Sequence, residues 1–154
     1  MQKKLLPLGL MIFLIFCGCS RNNDVEVYYK FKDSTWLRFD PVRFEMTVNA
    51  TEKKYDVFLF IHHTAEYEFD NLDFNMIMNT PSGEERIKEY QMDIRRKDGG
   101  FIGKIQNDSC EISIALKKDL KLTKGILSLE IENLVPRLQT KGLLGIGIRL
   151  HPVR

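Results

Sequence analysis

From residue 25 onward the chain alternates apolar and polar side chains with a period of two, and this pattern constrains its fold more than any other feature. Successive side chains of a strand point to opposite faces, so such alternation buries one face and wets the other. Val25, Val27, Tyr29 and Phe31 share one face, with Glu26, Tyr28 and Lys30 opposite. Phe44, Met46 and Val48 alternate with Glu45, Thr47 and Asn49. Between Tyr55 and His63, Val57, Leu59 and Ile61 take one face while Phe58 and Phe60 take the other, which predicts a strand covered on both sides. Leu72, Phe74, Met76 and Met78 follow. Residues 87–94 alternate more weakly, and a short helix is the alternative there. The pattern returns at Ile112, Ile114 and Leu116, at Leu127, Leu129 and Ile131, and at Leu144, Ile146, Ile148 and Leu150.

Turn chemistry separates these runs. Thr80-Pro81-Ser82-Gly83, Asp98-Gly99-Gly100 and Lys124-Gly125 supply residues that tolerate positive φ. The expected fold is all-β: a single, jelly-roll-like β-sandwich of about eight antiparallel strands. It should occupy residues 25–154 as one domain.

The first 24 residues read differently. Lys3 and Lys4 precede Leu5 to Phe16, an apolar run of twelve residues. As a helix it would cover about 18 Å, against the ~20 apolar residues a bilayer needs. Its layout is that of a secretory signal peptide over residues 1–18. Gly18 places a small residue directly before Cys19, as lipoprotein signal peptidase requires, although Phe16 stands where leucine is usual. Cys19 is therefore the expected site of lipidation, and residues 19–24 form a polar tether. Several acyl chains, each buried CH₂ contributing about 0.8 kcal/mol, would make attachment to a membrane effectively permanent.

Charge and cysteine count exclude other classes. The leader carries two of the 23 lysine and arginine residues and none of the 21 acids, so the remaining 136 residues are formally neutral. A nucleic-acid binder would show a basic excess. With Cys19 acylated, Cys110 has no disulfide partner and reads as a buried core residue. His62 and His63 are adjacent on a strand and point to opposite faces, His151 is remote, and no ligand-spaced cysteine pair exists, so neither a metal nor another cofactor is expected. No Gly-x-Ser-x-Gly elbow is present, and Glu84-Glu85 beside a turn reads as solvated charge. The expectation is a protein that is not an enzyme.

Three features remain. Trp36, Tyr67 and Phe69 are candidates for a partner-binding surface, with Trp36 closing one end of the core as the blander and preferred reading. Asp33-Ser34-Thr35 offers Ser34 as an O-glycosylation site, while Asn49-Ala50-Thr51 and Asn107-Asp108-Ser109 match an acceptor pattern whose pathway is not expected here. The glycine-rich C-terminal strand would invite β-augmentation at a sheet edge and would simply be core at its centre.

Several segments together resemble the gliding motility lipoprotein GldH family. They are Trp36 with Asp40-Pro41-Val42-Arg43-Phe44, the run from Tyr55 to His63, Tyr67-Glu68-Phe69-Asp70-Asn71-Leu72 and Pro81-Ser82-Gly83. Asp98-Gly99-Gly100-Phe101-Ile102-Gly103-Lys104 and the tail from Gly142 to Arg149 complete the set; the family tends to carry tryptophan where this chain has Phe101. The resemblance implies a non-catalytic envelope lipoprotein, an accessory of the gliding and type IX secretion machinery, with other envelope proteins as partners and the membrane reached through the lipid on Cys19. It offers no catalytic residues to carry over. Ser20 and Arg21 lack the acidic run associated with surface export, so the outer membrane facing the periplasm is the expected location. The rival expectation is a glycan- or ligand-binding β-sandwich lipoprotein.

Overall fold

The computed structural model describes residues 24–49 and 53–153. The expected signal peptide, Cys19 and nearly all of the tether lie outside the described residues. Eleven strands follow in chain order: β1 (Val25–Lys30), β2 (Thr35–Leu37), β3 (Val42–Val48), β4 (Lys53–His63), β5 (Asn71–Asn79) and β6 (Glu85–Asp93). They continue as β7 (Lys104–Gln106), β8 (Ser109–Leu122), β9 (Gly125–Asn133), β10 (Gln139–Lys141) and β11 (Leu143–Pro152). A three-residue 3-10 turn, Lys32–Ser34, links β1 to β2.

All pairing between strands is antiparallel, as the alternation requires, and the fold is all-β. The count and layout differ from the expected single sandwich of about eight strands. Eleven strands form three sheets: β1-β11-β4-β8-β7, β3-β9-β5-β6 and the small ribbon β10-β2. The three unforeseen strands, β2, β7 and β10, have three residues each. Such a length is too short to leave a periodic signal. Residues 87–93 belong to strand β6 and not to a helix; the alternation is weak because β6 is an outer strand with Ile87 exposed.

The two larger sheets enclose one apolar core. Phe44, Met46, Phe74, Met76, Leu127 and Leu129 contribute from one side, and Leu59, Ile61, Leu116, Ile146 and Ile148 from the other. Tyr90 on β6 reaches across and donates to the Leu116 carbonyl at 2.6 Å. The long strands pair as nested layers: β1 with β11, β3 with β9, β4 with β8 and β5 with β6.

This nesting gives the molecule two distinct ends. Val25 lies opposite Leu150, Pro152 opposite Tyr55, and Tyr55 opposite Leu120. The end of β3, the start of β4 and the β5–β6 and β8–β9 connections share this end, and the described chain comes in there at Asp24. The β2–β10 ribbon and the loops after β4 and β6 gather at the other end. The nine residues of β9, at about 3.3 Å each, separate the two ends by roughly 30 Å.

β11 is central, lying between β1 and β4, so the C-terminal strand offers no free edge. Its Gly145 and Gly147 make room on the outer face for aromatic rings. A Cβ at either would collide with the Tyr28 or Phe60 side chain. The two rings lie nearly parallel, 9° apart, with centroids 6.0 Å apart. The Arg149 guanidinium covers Phe60 at 5.0 Å. This explains why Phe60 is buried although its strand neighbours Leu59 and Ile61 face the core, as the sequence pattern predicts.

Gly142 fixes the approach of β11 to the loop after β4. Its φ is +81°, and a Cβ there would run into the backbone of Glu66 and Tyr67. Its carbonyl accepts from Thr64 N at 2.8 Å. Gly83 has a similar φ of +86° but open space around it. Gly142→Ala should therefore lower the unfolding free energy by about 3 kcal/mol in urea titration, combining left-handed strain with overpacking. Gly83→Ala should cost about 1 kcal/mol from strain alone. Equal costs would contradict the close crossing.

Candidate interaction surface

The sequence-derived candidates divide sharply. Trp36 is only 1% exposed, stacks on Phe31 with ring centroids 5.2 Å apart, and donates from Nε1 to the Asp40 carbonyl at 2.9 Å. Tyr67 is 0% exposed and donates its hydroxyl to the Asn71 carbonyl at 2.7 Å. Burial pushes that hydroxyl well above its usual pKa. Each polar tip is satisfied by backbone four residues on, so both rings can be buried without an orphaned donor. Neither forms a partner-binding surface, and Trp36 closes the core. Phe69 is half-buried and meets Tyr67 edge-on at 5.8 Å. Ser34 is half-buried in the 3-10 turn at φ +50°, directly after Asp33 at φ +51°.

The histidines are also committed. His62 donates to Glu111 at 2.9 Å on the outer face, and this bond holds the Glu111 carboxyl below its usual range. His151 donates to Asp24 at 2.6 Å. His63 points inward, 0% exposed, and donates from Nδ1 to the Thr64 carbonyl at 3.1 Å. Phe101 packs edge-on against it at 4.8 Å, and Arg95 stacks on the far side of the contact, 4.2 Å from the Phe101 ring centre. Cys110 is buried and free; burial raises its thiol pKa, with the Glu111 charge adding to the effect. Among the described residues, no three histidine, cysteine or acidic side chains gather to hold a metal.

Of the exposed apolar side chains that the alternation did not single out, Ile105 on β7 and Ile126 on β9 stand apart, while Leu37, Phe39 and Leu138 gather at the β2–β10 ribbon. Trp36 opposes Thr140, and both turn inward; Leu37 opposes Gln139 and faces out. The pairing extends past the strands through Arg38 N to the Leu138 carbonyl at 3.0 Å. Asn133 pins the ribbon from below: its Nδ2 donates to Thr140 Oγ1 at 2.9 Å and its Oδ1 accepts from Val135 N at 2.9 Å. The result is a rigid support carrying Phe39, 81% exposed, and Leu138, 71% exposed. Two shallow grooves flank it. One of about 500 Å³ is lined by Tyr29, Lys32, Leu37 and Gln139; the other, about 390 Å³, by Arg38, Phe39, Pro41 and Leu134. Scattered exposed apolar residues are ordinary; here Leu37, Phe39 and Leu138 gather on one ribbon.

The fold defines a class: an all-β domain of two large antiparallel sheets with an exposed apolar ribbon at one end. The sequence narrows it further. The family model of the GldH lipoprotein matches residues 24–150, and the chain belongs to that family. It is 25% identical over 149 residues to the gliding motility lipoprotein GldH of Flavobacterium johnsoniae, covering 92% of each chain. The match spans both large sheets and the ribbon.

His63 supplies a pH test of the packing. Burial holds its pKa below the ordinary 6.5, assisted by the Arg95 and His62 charges and opposed by the Thr64 bond. On acidification the unfolded chain takes up this proton first. The stability contribution is therefore full above about pH 6.5 and is lost as pH falls through that value toward the lower folded pKa. The urea midpoint of the wild type should drop more steeply than that of His63→Phe between about pH 7.5 and about pH 5. Parallel profiles would contradict the buried neutral imidazole.

Proposed function

We propose that this protein is a non-catalytic lipoprotein, anchored through Cys19 to the periplasmic side of the outer membrane, that docks an envelope protein of the gliding and type IX secretion machinery with its β2–β10 tip. Family membership supports the lipoprotein and motility setting. The observation that carries the docking role is the polarity of the fold. The chain comes in at one end, and the exposed Phe39 and Leu138 stand at the other. Five residues separate Cys19 from Val25, and the six steps between their Cα atoms reach about 20 Å at most. An acylated Cys19 therefore keeps the first end at the bilayer and the tip turned toward periplasmic partners. Tethering also raises the effective concentration of the tip near other membrane proteins.

The absence of chemistry in this reading is supported by the commitments of the reactive groups. The Cys110 thiol is buried, and each histidine already serves a structural bond. The eight long strands are read as a jelly-roll: their nested pairing, with successive strands changing sheet everywhere except at the β5–β6 hairpin, supports this. Ser34, beside the larger groove, remains the proposed position for a glycan.

A photo-crosslinking residue at Phe39 or Leu138 in cells should capture one and the same envelope protein, and one at Ile87, exposed on β6, should not. In cells fed a labelled fatty acid, the wild type should take up the label and Cys19→Ala should not. Capture from Ile87 with none from the tip would overturn the docking surface, and label on the Cys19→Ala chain would overturn the anchor.

A further inference from the structure

We propose that the cleft between β6 and β8 is a seat for the headgroups of anionic phospholipids. The register shows how it forms. The inward positions of β6 are those opposite the buried residues of β5: Met92 opposite Leu72, Tyr90 opposite Phe74, Lys88 opposite Met76 and Arg86 opposite Met78. Moving toward the end where the chain comes in, the inward face changes from apolar to cationic. Across the gap stand Leu116 and Lys117 of β8. The cleft has a volume of about 460 Å³, with Met76, Met78 and Leu116 in its floor and Arg86, Lys88 and Lys117 around it.

Two details separate this cleft from an ordinary strand edge. Inward charges on an outer strand discourage pairing with other chains, but either sign serves that purpose. Here Arg86, Lys88 and Lys117 are all positive, with Glu85 the acid at the rim. Arg86 also keeps hydrogen-bonding capacity in reserve. One of its terminal nitrogens pairs with Glu84 at 2.7 Å, yet its buried Nε has no partner. Lys88 is held with its ammonium 4.8 Å from the Tyr90 ring centre, directed along the cleft.

A phosphodiester accepts hydrogen bonds from a guanidinium and two ammonium groups, while its glycerol and first methylenes suit the methionine and leucine floor. A soluble acidic peptide would meet the cations but gain nothing from that floor. The location favours the lipid as well. The cleft lies in the half of the molecule that an acylated Cys19 would hold at the bilayer surface, where each cation near anionic lipid strengthens binding about fivefold. The location rests on the anchor proposed above, but the test does not, because it uses the chain without its lipid.

The chain from Ser20 to Arg154, which carries neither leader nor lipid, is sedimented with vesicles of phosphatidylcholine alone and of phosphatidylcholine with about 30% phosphatidylglycerol. Binding is expected to the anionic vesicles only. Arg86→Gln with Lys117→Gln should weaken it by more than tenfold, at unchanged urea midpoint. Lys53→Gln with Lys54→Gln removes equal charge at the same end outside the cleft and should have a smaller effect. Free glycerol 3-phosphate at about millimolar concentration should not displace the protein, since one headgroup lacks the surface potential of a bilayer. Equal binding to both vesicles, equal losses from the two double variants, or displacement by glycerol phosphate would each overturn the proposal. None of these outcomes bears on acylation, which is read separately by fatty-acid labelling.

Discussion

The antiparallel pairing of the first strand with the last is the constraint on which the rest of the molecule depends. β1 and β11 run together from Val25 opposite Leu150 to Lys30 opposite Gly145. Arg149 bonds Glu26 and approaches Glu111, and His151 bonds Asp24, so side chains repeat the backbone register. Such ion pairs at a surface are modest individually, about 0–1 kcal/mol. Their value lies in fixing register, because a slip by one residue would turn Ile146 and Ile148 out of the core. The same pairing lays Tyr28 over the glycines of β11 and closes the outermost layer of the nested strands. It also decides where the chain comes in, and hence which end of the domain a lipid would hold.

From that polarity the two proposed surfaces acquire different chemistry. The far end carries apolar side chains on a ribbon whose underside is locked by Asn133 and Thr140. The near half carries a cationic cleft, where a membrane would be anionic. β4 connects them through the middle of the five-stranded sheet, buried on its core face and covered at Phe60 on the other. In the proposed orientation the domain would serve as a spacer of roughly 30 Å between membrane and tip, stiffened by its sheet pairing.

Much of this was legible in the sequence for a simple reason. Long strands that face water on one side must alternate, and Phe44-Met46-Val48, Leu72 to Met78 and Leu127-Leu129-Ile131 are buried in that manner. The opposite orientations of His62 and His63 follow from the same rule. What was hidden depends on long-range register or on lengths below a period. The ribbon strands have three residues each, so nothing in their sequence distinguishes Trp36, which turns in, from Leu37, which turns out. Tyr67 looked available because it sits in a polar loop, yet its hydroxyl finds the Asn71 carbonyl and the ring is fully buried. Phe39 and Leu138 carried no pattern at all. The inward side of Arg86 and Lys88 follows only from their pairing with Met78 and Met76.

The spacer orientation is tested most directly with the acylated protein in nanodiscs that contain lipids with a paramagnetic headgroup. The account predicts that amide signals of Gly83 and Gly125, at the end where the chain comes in, broaden strongly while those of Phe39 and Leu138 keep their intensity. Broadening at Phe39 and Leu138 with Gly83 and Gly125 spared would place the apolar ribbon in the membrane, and the account would be wrong.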